Sequence, residues 1–178
     1  MALLCLCCFL TVHAAAQKRI TLKPLNIGET LPESFWSTKH STLTNGEVTQ
    51  TDLRTFKGKP LILDFWATWC GVCIAHMPQL IALQEHFAPK MQVLLVNCTN
   101  TRDTEETVKN FFKNRPELLK ESSALPVFSD TTFNTLFPHR FLPHYVWIDG
   151  KGKVAAFTSA EFISAKQVEQ FVKGRDVE

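Results

Sequence analysis

The sequence contains no apolar run approaching the roughly 18 residues that a membrane-spanning helix requires. It is also short of net charge, at +2 near neutral pH, so electrostatics give no reason to expect nucleic acid or an anionic surface as a partner. No internal repeat and no low-complexity linker divides the chain. Cysteine is scarce as well. Of the 6 present, Cys5, Cys7 and Cys8 fall in the first block, leaving Cys70, Cys73 and Cys98. An odd, small number is not the framework of a disulfide-stapled mini-protein. What is present, 178 residues of which 45% are hydrophobic, suits one globular domain with its own core.

The opening residues, MALLCLCCFLTVHAAA, have a different character. Leu3 to Val12 form a short apolar block, and Ala14, Ala15 and Ala16 supply the small residues of a signal-peptidase site, although no Lys or Arg precedes the block. Residues 1–16 are therefore expected to be a signal peptide and 17–178 a single domain. None of the three early cysteines follows a lipoprotein-type Leu-x-Gly/Ala pattern, so cleavage after Ala16 is expected rather than lipid anchoring.

Residues 17–58 are polar and turn-rich, and Asn45-Gly46 between STLT and EVTQT predicts a hairpin turn. LILDFWA and MQVLLVNC read as buried strands by length and by β-branched or aromatic content. Between them, Leu80, Leu83 and Phe87 recur at helical spacing, predicting a helix that begins at or near Cys70. TRDTEETVKNFFKNRPELLK predicts an amphipathic helix opened by Asp103 or Thr104 and disturbed near Pro116. PVFSD is a short strand and TTFNTLF a short helix. HYVWIDGKGKVAAFT predicts a hairpin with Gly150 and Gly152 in its turn, and SAKQVEQFVKG a final helix. That order implies an α/β fold, a mixed central sheet with helices on both faces.

The segment DFWATWCGVCIAHMP concentrates the chemistry. A cysteine at the first turn of a helix faces unpaired backbone N–H groups and the positive end of the helix dipole, and both favour thiolate over thiol. Cys73, one turn deeper, can close a ring with Cys70 while being harder to reach. Thiol–disulfide exchange uses that asymmetry: the outer thiolate attacks, and the inner thiol resolves the mixed disulfide. A purely structural Cys70–Cys73 bridge would close too short a loop to constrain the unfolded chain much. The Pro-x-x-x-Thr/Ser-x-x-Cys setting of a peroxidase is absent.

DFWATWCGVC followed by Pro78 resembles the active-site segment of thioredoxin. The pattern from IGETLPESF through FKGKPLILDFWATWC to FLPHYVWIDGKGKV resembles the exported TlpA/ResA-like thiol-disulfide oxidoreductases, over residues 25–173. The resemblance implies a thioredoxin-like fold carrying an N-terminal β-hairpin extension. It implies Cys70 as nucleophile, Cys73 as resolving cysteine, and Leu142-Pro143 as a cis-proline loop that pairs with substrate backbone beside Trp69. It also implies Asp64 as proton acceptor for Cys73, in keeping with a carboxyl whose burial within LILDFW should raise its pKa.

The chain departs from those relatives at His76, where they often carry glutamate, and at Val72, where they often carry proline. His76 lies one helical turn past Cys73 and is a candidate for tuning the thiols. Trp66 is expected to pack, and Cys98 to be a buried small hydrophobe. Cys70, Cys73 and His76, each three residues apart, define the competing reading of a Cu(I)- or Zn(II)-binding metallochaperone. The favoured expectation is a monomeric extracytoplasmic enzyme of the periplasm or cell envelope, with no metal and no cofactor beyond its redox-active disulfide. Its partners would be protein disulfides or thiols and a membrane electron donor, with a place in cytochrome c maturation.

Overall fold

In a computed structural model, residues 22–119, 123–175 and 177 are described. The expected signal peptide at residues 1–16 lies outside them. Three strands form the centre of the sheet: β3 (Leu61–Phe65), β4 (Gln92–Cys98) and β5 (Leu125–Asp130), all parallel. Every residue of β3 and β4 is buried, as near-continuous apolar runs require in a sheet covered on both faces. Antiparallel β6 (His144–Ile148) joins β3, and β7 (Val154–Thr158) follows it through the predicted turn, where Gly152 takes a positive φ of 76° and Asp149 accepts from the backbone N–H groups of Lys151 and Lys153.

The hairpin β1 (His40–Thr44) and β2 (Glu47–Thr51) turns at Asn45 and Gly46, with φ of 53° and 79°. β1 then adds antiparallel to β5, so the extension covers what would otherwise be an open sheet edge. The seven strands run in the order β2-β1-β5-β4-β3-β6-β7. This is the mixed sheet with an N-terminal hairpin that the sequence predicts.

Strand alternation divides the core into two layers. Ile62, Trp66, Val93, Leu95, Tyr145 and Trp147 meet α2 (Gly71–Phe87), α3 (Glu105–Lys113) and α5 (Ala165–Val172). Leu61, Leu63, Phe65, Leu94, Val96 and Val146 meet α1 (Glu33–Ser37) and α4 (Thr132–Leu136) on the other side. The sequence carries no sign of α1. Its five residues are too few to display a helical period, yet Phe35 and Trp36 are buried and pack edge to face with ring centroids 4.9 Å apart. α3 opens at Thr104, whose hydroxyl accepts from the Thr107 N–H. It stops before Pro116, which begins a separate single turn.

Candidate active site

Cys70 is the N-cap of α2, the junction at which the β3 chain turns into the helix. Its Sγ is bonded to Cys73 Sγ, with the Cα atoms 5.3 Å apart, and accepts the Cys73 backbone N–H at 3.2 Å. The sulfur of residue 70 therefore already occupies an anion-accepting position at the positive end of a 17-residue helix. Cys70 retains 7% exposure and Cys73 none. The two sulfurs differ in access as exchange chemistry requires.

Behind this pair, strand alternation turns Ile62, Asp64 and Trp66 toward the layer that also buries Cys73. Asp64 is wholly buried, and neither carboxyl oxygen has a hydrogen-bond partner among the described residues. Burial raises its pKa from 3.8 to about 8. The hydroxyl of Tyr145, directly opposite on β6, tempers that rise without meeting the geometry of an ordinary hydrogen bond. A carboxyl that changes protonation near neutrality, on the sheet face whose core layer buries the inner cysteine, is of the kind that can exchange a proton with a thiol.

The loop before Cys70 is held by a residue whose sequence context suggests a different role. Asp103 is one of two candidates to open α3; with Thr104 capping that helix, the Asp103 carboxylate accepts instead from the Thr68 N–H at 2.7 Å, the Thr68 hydroxyl at 2.6 Å and the Asn97 amide at 2.7 Å. Trp69 is 65% exposed, and its indole N–H donates to the Thr101 carbonyl at 2.9 Å, which fixes the ring beside the disulfide. Nothing in the local sequence pairs residue 68 with residue 103; the contact follows from β3 and β4 lying side by side. Asp103→Ala is expected to cost about 2–3 kcal/mol in urea unfolding, because it strands three buried or half-buried donors, and to speed amide exchange at Thr68.

The Leu142–Pro143 peptide bond is cis, and so is Ala88–Pro89, for which the sequence carries no signal. Leu142 packs against both core layers, while the preceding Phe141 is 82% exposed. Beyond Pro143, His144 stacks on His139 with centroids 5.2 Å apart and on Phe157 at 5.7 Å. Burial, reinforced by the neighbouring His139, lowers the His144 pKa to about 4. His76 is half-buried and near Glu161, whose carboxyl is held below its ordinary range first by a hydrogen bond from Ser159 and least by His76. Cys98 is buried, and burial together with the Asp130 charge pushes its thiol up to about 12. Trp66 is wholly buried against Phe111. Among the described residues, no group of three or more His, Cys, Asp and Glu is placed to hold a metal ion, so Cys70, Cys73 and His76 are not gathered as a ligand set.

Comparison with known proteins agrees with this geometry. The Redoxin family model matches residues 27–171. The chain is 40% identical over 62 residues to the thioredoxin-like protein YneN of Bacillus subtilis, covering 35% of this chain and 36% of that protein. It is 30% identical over 98 residues to the thiol-disulfide oxidoreductase ResA of Bacillus cereus, covering 49% and 55% respectively. The matched stretches thus span between about a third and just over a half of these relatives' lengths. In fold, the exposed lipoprotein thioredoxin of Streptococcus pneumoniae superposes with a TM-score of 0.59 at 20% identity, over 76% of this chain and 98% of that one. With the family pattern running from before the hairpin to the last helix, the chain belongs to the redoxin family and has a thioredoxin-like fold.

Proposed function

We propose that the protein is a thiol-disulfide oxidoreductase that reduces disulfides of other proteins outside the cytoplasm, cycling between the Cys70–Cys73 disulfide and its dithiol. The observation that carries this reading is the sulfur of Cys70 at the N-terminus of α2, bonded to a Cys73 that solvent does not reach. In the reduced protein, the Cys70 thiolate attacks a substrate disulfide. Cys73 gives its proton to Asp64 and attacks the Cys70 sulfur, and the substrate leaves as a dithiol carrying the two electrons. Trp69 and the Leu142-Pro143 turn line the approach to that sulfur and take the substrate backbone.

The extracytoplasmic setting is supported by the apolar, Ala-terminated first sixteen residues and by the description of the pneumococcal structural neighbour as exposed. There the oxidised enzyme requires an electron donor at the membrane, and a disulfide between the haem-binding cysteines of an apocytochrome c awaiting maturation is a fitting substrate.

A redox titration against glutathione and dithiothreitol buffers tests the direction. A potential near roughly −270 mV identifies a reductant, and one near roughly −120 mV an oxidant. Asp64→Asn is expected to slow resolution of a pre-formed mixed disulfide by about 100-fold at neutral pH while leaving the first attack at its wild-type rate. Single-turnover kinetics separate the two steps, and an equal loss in both removes Asp64 from the proton transfer.

A further inference from the structure

Asp64 and Tyr145 are register partners across the β3–β6 pair, so their side chains leave the sheet side by side on the face that α2 covers. Both residues are wholly buried, and the two carboxyl oxygens and the phenol oxygen all lack a hydrogen-bond partner among the described residues. Orphaned polar atoms are uncommon inside proteins, and here three stand on two facing side chains. Their chemistry is complementary: an ionised carboxylate only accepts, and a phenol donates.

Trp66, two residues along the same strand face, also carries a buried indole N–H without a partner, but its ring packs on Phe111 and Phe112, and Tyr145 is the side chain that acts on the Asp64 titration. The register neighbour of Asp64 on β4 is Leu95, α2 contributes the inner cysteine, and α3 contributes Phe111 and Phe112. His144 starts from the opposite face, against Phe65 and Phe157, and His76 lies by Glu161. No lysine or arginine acts on the Asp64 titration.

We propose that Tyr145 is a positioning residue for the exchange reaction, its hydroxyl donating to Asp64 when that carboxyl ionises and so setting the pH range in which Asp64 accepts the Cys73 proton. The inference rests on Asp64 being that acceptor. In the step, the Cys73 S–H bond breaks and an Asp64 O–H bond forms. The new thiolate closes the Cys70–Cys73 bond, and the substrate sulfur departs with the electron pair. The Tyr145 proton stays on Tyr145 throughout, since burial and the facing carboxylate both raise its pKa. Its contribution is greatest when Asp64 is charged and smallest once the proton has arrived. The fraction of Asp64 that is ionised near neutral pH, a minority, is thereby larger than burial alone would leave.

Two measurements test this. In Tyr145→Phe, the carboxyl-carbon NMR midpoint of Asp64 is expected to rise. The acid limb of the single-turnover resolution profile should move to higher pH by the same amount, with resolution about 3- to 10-fold slower at pH 7 and an unchanged alkaline plateau. A merely structural role lowers the plateau and leaves the midpoint in place. In an Asp64→Asn background, Tyr145→Phe should move nothing. The second measurement needs no Tyr145 variant. Tyr145 is the chain's single tyrosine, so its infrared phenol band reports its hydrogen bonding unambiguously. That band should shift as wild type is titrated through the Asp64 midpoint and stay fixed in Asp64→Asn. An unmoved midpoint in Tyr145→Phe, or a phenol band that ignores Asp64, overturns the pairing. A moved midpoint with an unmoved resolution profile breaks the proton-acceptor reading of Asp64, and Tyr145's part in the reaction falls with it.

Discussion

Cys70→Ser is expected to abolish disulfide exchange, with turnover falling on the order of 1,000-fold or more, whereas Cys73→Ser should attack normally and accumulate as a mixed disulfide. The difference follows from the two environments. In the oxidised protein the Cys70 sulfur accepts the backbone N–H of residue 73 and caps a helix whose other first-turn N–H groups have no acceptor within the helix. Reduction leaves those donors where they are, now around a thiolate. A free thiol with a pKa near 8.5 is only about 3% ionised at pH 7, while one lowered to about 6.5 is mostly ionised, a gain of roughly 25-fold in the attacking species.

Cys73, one turn into α2, is fully enclosed on the side of the helix that faces the core. Iodoacetamide alkylation against pH gives the check. The reduced protein should react at Cys70 with an acidic midpoint and remain unmodified at Cys73, and Cys73→Ser should form a stable adduct with a disulfide peptide. An ordinary alkaline midpoint for Cys70 would leave the proposed exchange reaction without its nucleophile.

The parts of this site that lie close together along the chain are legible in the residues themselves. The strand–bend–helix order of LILDFWATWCGVC fixes Cys70 at a helix start, because the apolar run must end before the helical spacing of Leu80, Leu83 and Phe87 begins. Likewise Asn45-Gly46 names its own turn, since both residues tolerate the positive φ that a tight hairpin requires. Contacts made by register or by sheet neighbours are not legible in that way. Asp103 looks like a helix cap, and only the adjacency of β3 and β4 turns it toward Thr68. Tyr145 reads as an ordinary apolar strand residue. Its relation to Asp64 depends on β6 pairing with β3 rather than with β4, which periodicity does not reveal. The short helix α1 is held by the burial of Phe35 and Trp36, a tertiary effect that five residues cannot announce.

The stability of wild type relative to Asp64→Asn should fall as pH rises from about 4 to about 8. In the folded chain Asp64 holds its proton up to about pH 8, whereas in the unfolded chain it releases it near 3.8. At residue 64 the folded state holds about one proton more than the unfolded state between those values, so this residue's contribution declines by about 1.4 kcal/mol per pH unit. The contribution is complete below the unfolded pKa and is lost on passing upward through the folded one, close to 4 kcal/mol between pH 5 and pH 8.

An asparagine at 64 does not titrate, but its buried amide costs about 1–3 kcal/mol for want of an acceptor. The variant should therefore be the less stable protein at pH 4 and the more stable one at pH 8, with the curves crossing between about pH 4.5 and 6. His144, whose depressed pKa acts with the opposite sign on the acid side, is common to both proteins and cancels in the difference. Urea unfolding of the oxidised proteins at several pH values measures that difference directly. Parallel curves would mean that Asp64 is ionised in the folded chain across the whole range. A carboxylate charged at pH 5 in that position would need a cation or a set of donors beside it, and among the described residues the one donor facing it across the sheet is Tyr145.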